Sequence, residues 1–184
     1  FNPCIIVPIY NNRDTIRAVV SSLQPLHLPC LIVDDGSDEG TRRVLADLAD
    51  ACDHVDVVTR RVNGGKGAAM RDGFAIAADR GYTHAVQIDA DGQHDSADIP
   101  RFLSAARDAP DTLILSRPLF ADDAPKARRY GRLVTTFCVW LETLSTEIKA
   151  TLCGFRCYPL DAVMRCYAQS KLGDGMAFDT AVPV

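Results

Sequence analysis

Two acidic side chains close together are the first residues of this chain that could do chemistry. Asp89 and Asp91 flank one small residue and follow the apolar run 85–88, which predicts a buried strand. Ligands of open α/β sheets bind at the carboxyl ends of the strands, and paired carboxylates with oxygen-rich neighbours suit Mg²⁺ or Mn²⁺. Gln93 and His94 could complete the ligand shell. The alternative is a loop of turn-favouring residues, which an isolated Asp-x-Asp-Gly would indicate.

Polar residues also follow other predicted strands. Asp34 and Asp35 come directly after the apolar run 31–33, and their carboxylates can accept hydrogen bonds from a base or a ribose. Lys66, in the glycine-rich stretch 63–67, can approach a phosphate. Taken singly, each stretch is also an ordinary helix cap or turn. Their order at successive strand ends, together with the acidic pair, predicts a nucleoside-diphosphate site with a metal bridging the diphosphate.

The elements that must position these residues alternate regularly along the chain. Strands are predicted at 4–9, 31–33, 55–58, 85–88, 113–115 and 154–158. A helix is predicted after each of the first four strands, from the helical spacing of apolar residues. Such alternation, with strands that read as continuous apolar runs, predicts an α/β fold in which helices cover both faces of a parallel sheet.

Length and composition predict one globular domain. The chain has 184 residues, of which 47% are hydrophobic and 24% charged, enough for a sizeable core. A formal net charge of -4 argues against nucleic acid as a partner, because nucleic-acid binding normally leaves a basic footprint. Seven cysteines without any Cys-x-x-Cys predict reduced thiols in a cytoplasmic protein. No segment approaches the ~18 apolar residues that span a bilayer, so any membrane association is expected to be peripheral.

A basic stretch precedes an apolar helix in the second half of the chain. Its cations are Lys126, Arg128, Arg129 and Arg132. The helix that follows, over 134–144, carries Phe137 and Trp140. Apolar bulk beside cationic side chains suits an anionic lipid surface, which would place the protein at the cytoplasmic face of the membrane. The same pattern also suits an ordinary core helix.

Four motifs together resemble a known family. They are Val-Pro-Ile-Tyr-Asn (7–11), Val-Asp-Asp-Gly-Ser (33–37), Asn-Gly-Gly-Lys-Gly (63–67) and Asp-Ala-Asp-Gly-Gln-His (89–94). The set resembles the inverting glycosyltransferases of family 2 and is similar to the branch of dolichyl-phosphate mannose synthases and bacterial polyprenyl-phosphate glycosyltransferases. The resemblance implies the GT-A fold, with a Rossmann-like, mostly parallel sheet between helices. It also implies one catalytic domain over 1–184, binding the donor through about 1–95 and the acceptor through about 96–184, in a natural chain that we expect to continue past Val184.

The resemblance assigns roles to individual residues. Contacts to a nucleoside-diphosphate-sugar donor are implied for Pro8, Tyr10, Asn11, Asp34, Asp35, Lys66, Asp89, Ala90 and Asp91. Ligation of Mg²⁺ or Mn²⁺ is implied for Asp89, Asp91 and Gln93. Contacts to a lipid-linked or polyprenyl-phosphate acceptor are implied for Arg117, Arg132 and Arg156. Relatives often carry an acidic residue where this chain has Asn12, so the donor contact at that position differs.

The implied reaction is an in-line displacement at the anomeric carbon with inversion. Lys66, together with the metal held through Asp91, would stabilise the departing nucleoside diphosphate. Asp179 is the candidate base for a hydroxyl acceptor, whereas a phosphate acceptor is already ionised and needs none. The alternatives are a nucleotidyltransferase that makes sugar nucleotides, whose Gly-x-Gly-Thr-Arg signature is absent after the first strand, and a non-catalytic nucleotide-binding domain.

Overall fold

Residues 1–116 and 154–169 are described by the structure, a computed structural model. The strands in this part are β1 (Pro3–Ile9), β2 (Cys30–Asp34), β3 (Val55–Thr59), β4 (His84–Gln87), β5 (Ile114–Leu115) and β6 (Arg156–Pro159). The α-helices are α1 (Arg13–Leu23), α2 (Glu39–Ala51), α3 (Lys66–Asp79), α4 (Ile99–Asp108) and α5 (Leu160–Gln169). Short 3₁₀ turns span Gln24–Leu26 and Ser96–Asp98.

The strands form one sheet in the order β3-β2-β1-β4-β6-β5. The pairs β3-β2, β2-β1 and β1-β4 are parallel, which confirms the parallel arrangement predicted from the alternating elements. Strand β6 runs antiparallel to both of its neighbours and separates β4 from β5. The second half of the chain therefore contributes a strand to the interior of the sheet, directly beside the strand that leads to the acidic pair.

The core lies on both faces of the sheet because successive side chains of a strand point to opposite faces. In β1, Ile5 and Val7 belong to the cluster that includes buried residues of α1, α2 and α4, whereas Ile6 belongs to the cluster under α3 and α5. All three side chains are fully buried. This double burial explains why β1 reads as an uninterrupted apolar run rather than as an alternating one.

Local sequence chemistry sets where two of the helices begin. Asp38 caps α2, since its carboxylate accepts a hydrogen bond from the Thr41 amide at 2.7 Å, and this bond lowers the pKa of the Asp38 carboxyl. Helix α3 follows Gly65, whose φ of +86° lies in a region that glycine enters at little cost. Both helices therefore start at the edge of the sheet where β2 ends.

The described cysteines are free thiols: Cys4, Cys30, Cys52, Cys157 and Cys166. Burial raises the pKa of the Cys157 thiol to about 12, so it is protonated and packs as a small apolar side chain.

Within residues 1–116 and 154–169, no helix has the length and apolar content that crossing a bilayer requires.

Helix α3 sits close to the sheet because it presents Gly73 there. A methyl group at this position would stand 3.0 Å from a methyl of Ile6 and 3.1 Å from one of Val33, closer than most side-chain contacts. The glycine thus allows the helix that begins with Lys66 to lie directly on β1 and β2.

We expect Gly73→Val to lower the free energy of unfolding by about 1–3 kcal/mol, because a branched side chain would overpack this contact. Ala75→Val on the same helix, at a half-buried position, serves as the control and should cost less. Chemical denaturation of both variants measures the difference, and equal costs would contradict the close helix–sheet contact.

Candidate functional site

A cavity of about 300 Å³ opens at the carboxyl ends of β1, β2 and β4. It is lined by Pro8, Ile9, Tyr10, Asn12, Asp35, Asn63, Gly65, Lys66, Ala69, Asp89, Ala90 and Asp91. The lining therefore includes most residues for which the sequence predicted a donor contact, drawn from all four motifs. Of the predicted donor-contacting residues, Asn11 and Asp34 are not among the lining residues, and neither is the predicted metal ligand Gln93.

Asp35 is held by the loop that precedes α3. Its Oδ1 accepts hydrogen bonds from the Gly64 amide at 3.0 Å and from the Arg60 guanidinium, and its Oδ2 accepts one from the Gly65 amide at 2.7 Å. The Asp35 side chain is only 4% exposed. A carboxylate can accept about four hydrogen bonds, so Asp35 retains capacity for about one more from the cavity.

Asp34 and Asn11 lie beside the cavity rather than in its lining, and their contact with a donor stays a prediction. The Asp34 side chain is fully buried, and its Oδ1 accepts a hydrogen bond from the Ser37 amide at 2.9 Å. Asn11 has a φ of +58°, and its side-chain oxygen accepts a hydrogen bond from the Asp38 amide at 2.8 Å. Both residues shape the loops beside the cavity, and neither turns its side chain into it.

Asp89, the second carboxylate of the cavity lining that other side chains hold, is contacted by Lys66, Gln87 and His94. Lys66 Nζ lies 2.9 Å from its Oδ1, Gln87 Nε2 donates to Oδ1 at 3.2 Å, and His94 Nε2 lies 3.7 Å from Oδ2. Burial raises the pKa of the Asp89 carboxyl, but the contact with His94, the charge of Lys66 and the hydrogen bonds from Lys66 and Gln87 outweigh it and hold the pKa well below its usual value. Asp89 is therefore ionised throughout the neutral pH range.

Asp91 is exposed at the mouth of the cavity, in contrast to Asp89. Its Oδ1 accepts a hydrogen bond from the Gln93 amide at 2.9 Å, and Gly92 between them has a φ of +74°. The stretch is thus a turn as well as a pair of carboxylates, so the two interpretations of Asp-x-Asp-Gly are compatible. The Thr15 hydroxyl of α1 holds this turn in place by donating a hydrogen bond to the Ala90 carbonyl.

Of the four residues predicted to bind the acceptor or to act as a base, three lie outside the described part of the chain. Arg117, Arg132 and Asp179 lie outside the described residues, as do the basic stretch and its apolar helix. Arg156 lies on β6, opposite Gln87 in the register, and is fully buried. It does not line the cavity, and its contact with an acceptor stays a prediction.

The sequence did not indicate the residues that support Asp35 and Asp89 from within the protein. Arg60 bridges Asp35 and Asp72, with its Nε 2.7 Å from the Asp72 carboxylate. Tyr158 donates from its hydroxyl to Gln87 at 3.0 Å, and both side chains are fully buried. A glutamine inside an otherwise apolar strand was the one available signal, because a buried amide needs partners.

The position of this cavity defines the class of protein. An open, mostly parallel α/β sheet with polar residues gathered at its carboxyl edge is a ligand-binding domain of the doubly wound type. Within that class, the chain belongs to glycosyl transferase family 2, whose family model matches residues 4–166. The family expected from the motifs is thereby confirmed.

Similar proteins support the same branch of the family. Polyprenol monophosphomannose synthase of Mycolicibacterium smegmatis is 38% identical over 119 residues, which are 61% of this chain and 44% of the relative. Undecaprenyl-phosphate mannosyltransferase of Micrococcus luteus is 35% identical over 114 residues, 61% of this chain and 46% of the relative. This chain thus spans about half the length of the curated relatives it matches.

Solved structures share the GT-A fold. Residues 1–349 of Staphylococcus aureus TarS superimpose with a TM-score of 0.65 at 16% identity, covering 98% of this chain and 53% of that one. The mannosyltransferase PcManGT of Pyrobaculum calidifontis, solved with GDP-Man and Mn²⁺, gives a TM-score of 0.62 at 18% identity, covering 89% of this chain and 46% of that one. The expected GT-A fold is confirmed.

Removal of Arg60 tests the support of Asp35. We expect Arg60→Met to lower the free energy of unfolding by about 2–3 kcal/mol, because it leaves a buried carboxylate without its cation. Arg61→Met is the matched control, since Arg61 is the exposed neighbour in the chain. Thermal unfolding of both variants measures the effect, and similar melting temperatures would mean that the loop amides alone suffice for Asp35.

Proposed function

We propose that this chain carries the donor-binding core of a metal-dependent, inverting glycosyltransferase. Its donor would be a nucleoside-diphosphate sugar and its acceptor a polyprenyl-phosphate type of lipid. The observation that carries the proposal is the cavity at the strand ends, where residues from all four motifs meet around the ion pair of Lys66 and Asp89. Membership of glycosyl transferase family 2 favours transfer of a sugar over transfer of a nucleotidyl group.

We expect the base or ribose of the donor to lie near Asp35 and its diphosphate to lie near Lys66. Asp35 retains acceptor capacity, which suits an N–H of a base or a ribose hydroxyl. Lys66 stands at the first position of α3, where helix amides and a cation together favour a diphosphate. Tyr10, which is 51% exposed on the same cavity, offers an aromatic face beside the base. The nucleotide would thus lie from Asp35 towards Asp89.

The residues present fit a hard divalent cation. Asp89 and Asp91 line one cavity, and carboxylate oxygens are preferred ligands of Mg²⁺ and Mn²⁺. Within residues 1–116 and 154–169, no group of three or more His, Cys, Asp or Glu side chains is gathered to hold a metal. The proposed cation would be held by Asp89 and Asp91 and completed by substrate phosphates. PcManGT, whose solved complex contains Mn²⁺, has the same fold.

The chemistry asked of these residues is the stabilisation of a leaving group. An acceptor oxygen attacks the anomeric carbon, the bond from that carbon to the diphosphate oxygen breaks, and the electron pair leaves with the nucleoside diphosphate. The bound cation would supply positive charge at the diphosphate. Lys66 adds a second positive charge from the protein, at the entrance of α3. A phosphate acceptor brings its own negative oxygen, so Asp179 would be needed as a base only for a hydroxyl acceptor.

The acceptor proposal rests on the relatives and on the basic stretch. Two relatives are named for polyprenol and undecaprenyl-phosphate substrates. The sequence from Lys126 to Arg132 is rich in cations, each worth on the order of 1 kcal/mol near an anionic membrane surface. A peripheral position at the cytoplasmic face of the membrane would bring such an acceptor to the cavity. This location is part of the proposal.

Calorimetric titration with UDP and GDP, with and without Mn²⁺, tests the donor site. We expect Asp91→Ala to weaken the Mn²⁺-dependent binding at least about tenfold, because one ligand of the cation is lost. The fold should remain intact, since Asp91 is exposed and its bond to the Gln93 amide is local.

Asp95→Ala is the matched control for this experiment. Asp95 accepts a hydrogen bond from the Ala97 amide in the same two-residue geometry, but it does not line the cavity. The control should bind like the parent. Asp91→Ala binding as tightly as the parent, or parent binding unaffected by chelator, would reject the metal assignment.

The acceptor is tested by transfer of labelled sugar into a lipid phase. We expect the full-length protein to move sugar from its nucleotide donor onto a polyprenyl phosphate, and we expect Arg128/Arg129/Arg132→Glu to reduce sedimentation with anionic vesicles. High salt should reduce that sedimentation in the parent as well. Efficient transfer to a soluble acceptor, without vesicle binding at low salt, would overturn the lipid proposal and leave the donor site standing.

A further inference from the structure

Two hydrogen bonds link Asp89, through Gln87, to a strand from the other half of the chain. Gln87 Nε2 donates to Asp89 Oδ1 at 3.2 Å, and Tyr158 of β6 donates to Gln87 Oε1 at 3.0 Å. Gln87 and Tyr158 are fully buried, so the bond between them is shielded from bulk water, whereas the bond from Gln87 to Asp89 is partly buried. The three side chains form a line that runs from the core to the edge of the cavity.

The direction of each bond in this line is fixed by chemistry. An ionised carboxylate can only accept, so the amide nitrogen of Gln87 must face Asp89 and its oxygen must face Tyr158. The Tyr158 hydroxyl must then donate. Loss of that hydroxyl would leave the Gln87 oxygen without its buried donor, and the amide would have reason to turn away from Asp89.

Gly154 restricts the same carboxylate by occupying almost no space. A methyl group on Gly154 would stand 2.5 Å from both Cγ and Oδ1 of Asp89, and closer still to Oδ2. Real side-chain carbons essentially never approach other atoms this closely. The backbone at Gly154 therefore forms a wall against which the carboxylate lies, and any side chain there would push Asp89 out of place.

We propose that Gly154 and Tyr158 are positioning residues for Asp89, with Gly154 limiting the space of its carboxylate and Tyr158 fixing its direction through Gln87. The role of this arrangement in binding a metal–nucleotide complex rests on the function proposed above. A ligand that must meet a cation needs its orientation held by supporting contacts, and loss of such contacts typically weakens metal sites about 10- to 100-fold. Neither residue needs to touch the substrate.

A double-mutant cycle tests the Gly154 contact without any ligand. We expect Gly154→Ala to lower the melting temperature by several degrees in the parent, and much less in an Asp89→Ala background, where the overlapping carboxylate is gone. Gly40→Ala is the control, because the atoms nearest to a methyl there belong to Arg13 and Asp38 rather than to Asp89. Its effect should be equal in both backgrounds.

The cycle decides the proposal in either direction. An equal loss from Gly154→Ala in the two backgrounds would overturn the contact. If Gly154→Ala alone does not fold, the proposal requires that the double variant does, and a double variant that also fails to fold would overturn it.

Tyr158→Phe tests the line through Gln87. We expect it to weaken Mn²⁺-dependent binding of UDP or GDP about tenfold while leaving nucleotide binding in chelator unchanged. Tyr82→Phe, in a tyrosine packed against the same core cluster, should change neither. A loss of both kinds of binding would indicate a general structural role and would overturn the positioning role, as would parent-like behaviour.

The two experiments separate this proposal from the proposed function. If the parent binds neither nucleotide at any Mn²⁺ concentration, the donor site is wrong, whereas the double-mutant cycle still decides whether Gly154 restricts Asp89. If the parent binds and Tyr158→Phe binds equally well, the donor site stands and the positioning role is rejected.

Discussion

The partial burial of one ionised carboxylate sets the requirements for the rest of the structure. The Asp89 side chain is 25% exposed, and removing a carboxylate from water is costly unless other groups replace its hydration. Here the replacements come from three directions: Lys66 at the start of α3, Gln87 at the end of β4, and His94 beyond the turn. Each of these elements therefore helps to hold the pKa of Asp89 below its usual value. The sheet and its covering helices hold these three side chains in place around Asp89.

Asp35 is likewise a buried carboxylate whose hydration must be replaced by other groups. Some of the groups that bind Asp35 are next in the chain to the cation that binds Asp89. The amides of Gly64 and Gly65 bind Asp35 at the end of β2, and the next residue, Lys66, binds Asp89 beyond the end of β4. Because β1 lies between β2 and β4, this short stretch of chain reaches across the end of β1. Glycines suit the stretch since two consecutive amides must turn towards one carboxylate. The cavity lies beside this stretch, at the carboxyl ends of β1, β2 and β4.

The sequence predicts what depends on local pattern and misses what depends on register. Continuous apolar runs identified the strands, and polar residues after them identified most of the cavity lining, because parallel strands end at one edge. Asp34 and Asp35 are adjacent and chemically identical, yet only Asp35 lines the cavity. Which of the two does so depends on the face that each side chain occupies, and a short stretch does not reveal it. The contact of Arg60 with Asp35, across 25 residues, is likewise set by strand order.

The antiparallel strand β6 joins the first and the second part of the chain in one sheet. The sequence suggested a donor part over about 1–95 and an acceptor part after it. In the sheet, β4 of the first part pairs on one side with β1 and on the other with β6 of the second. Without residues 154–159, the backbone groups of β4 would lose a partner, and Asp89 would lose the neighbouring Gly154 and its link through Gln87 to Tyr158. Residues from both parts of the chain therefore surround Asp89, and the division into a donor part and an acceptor part stays a prediction.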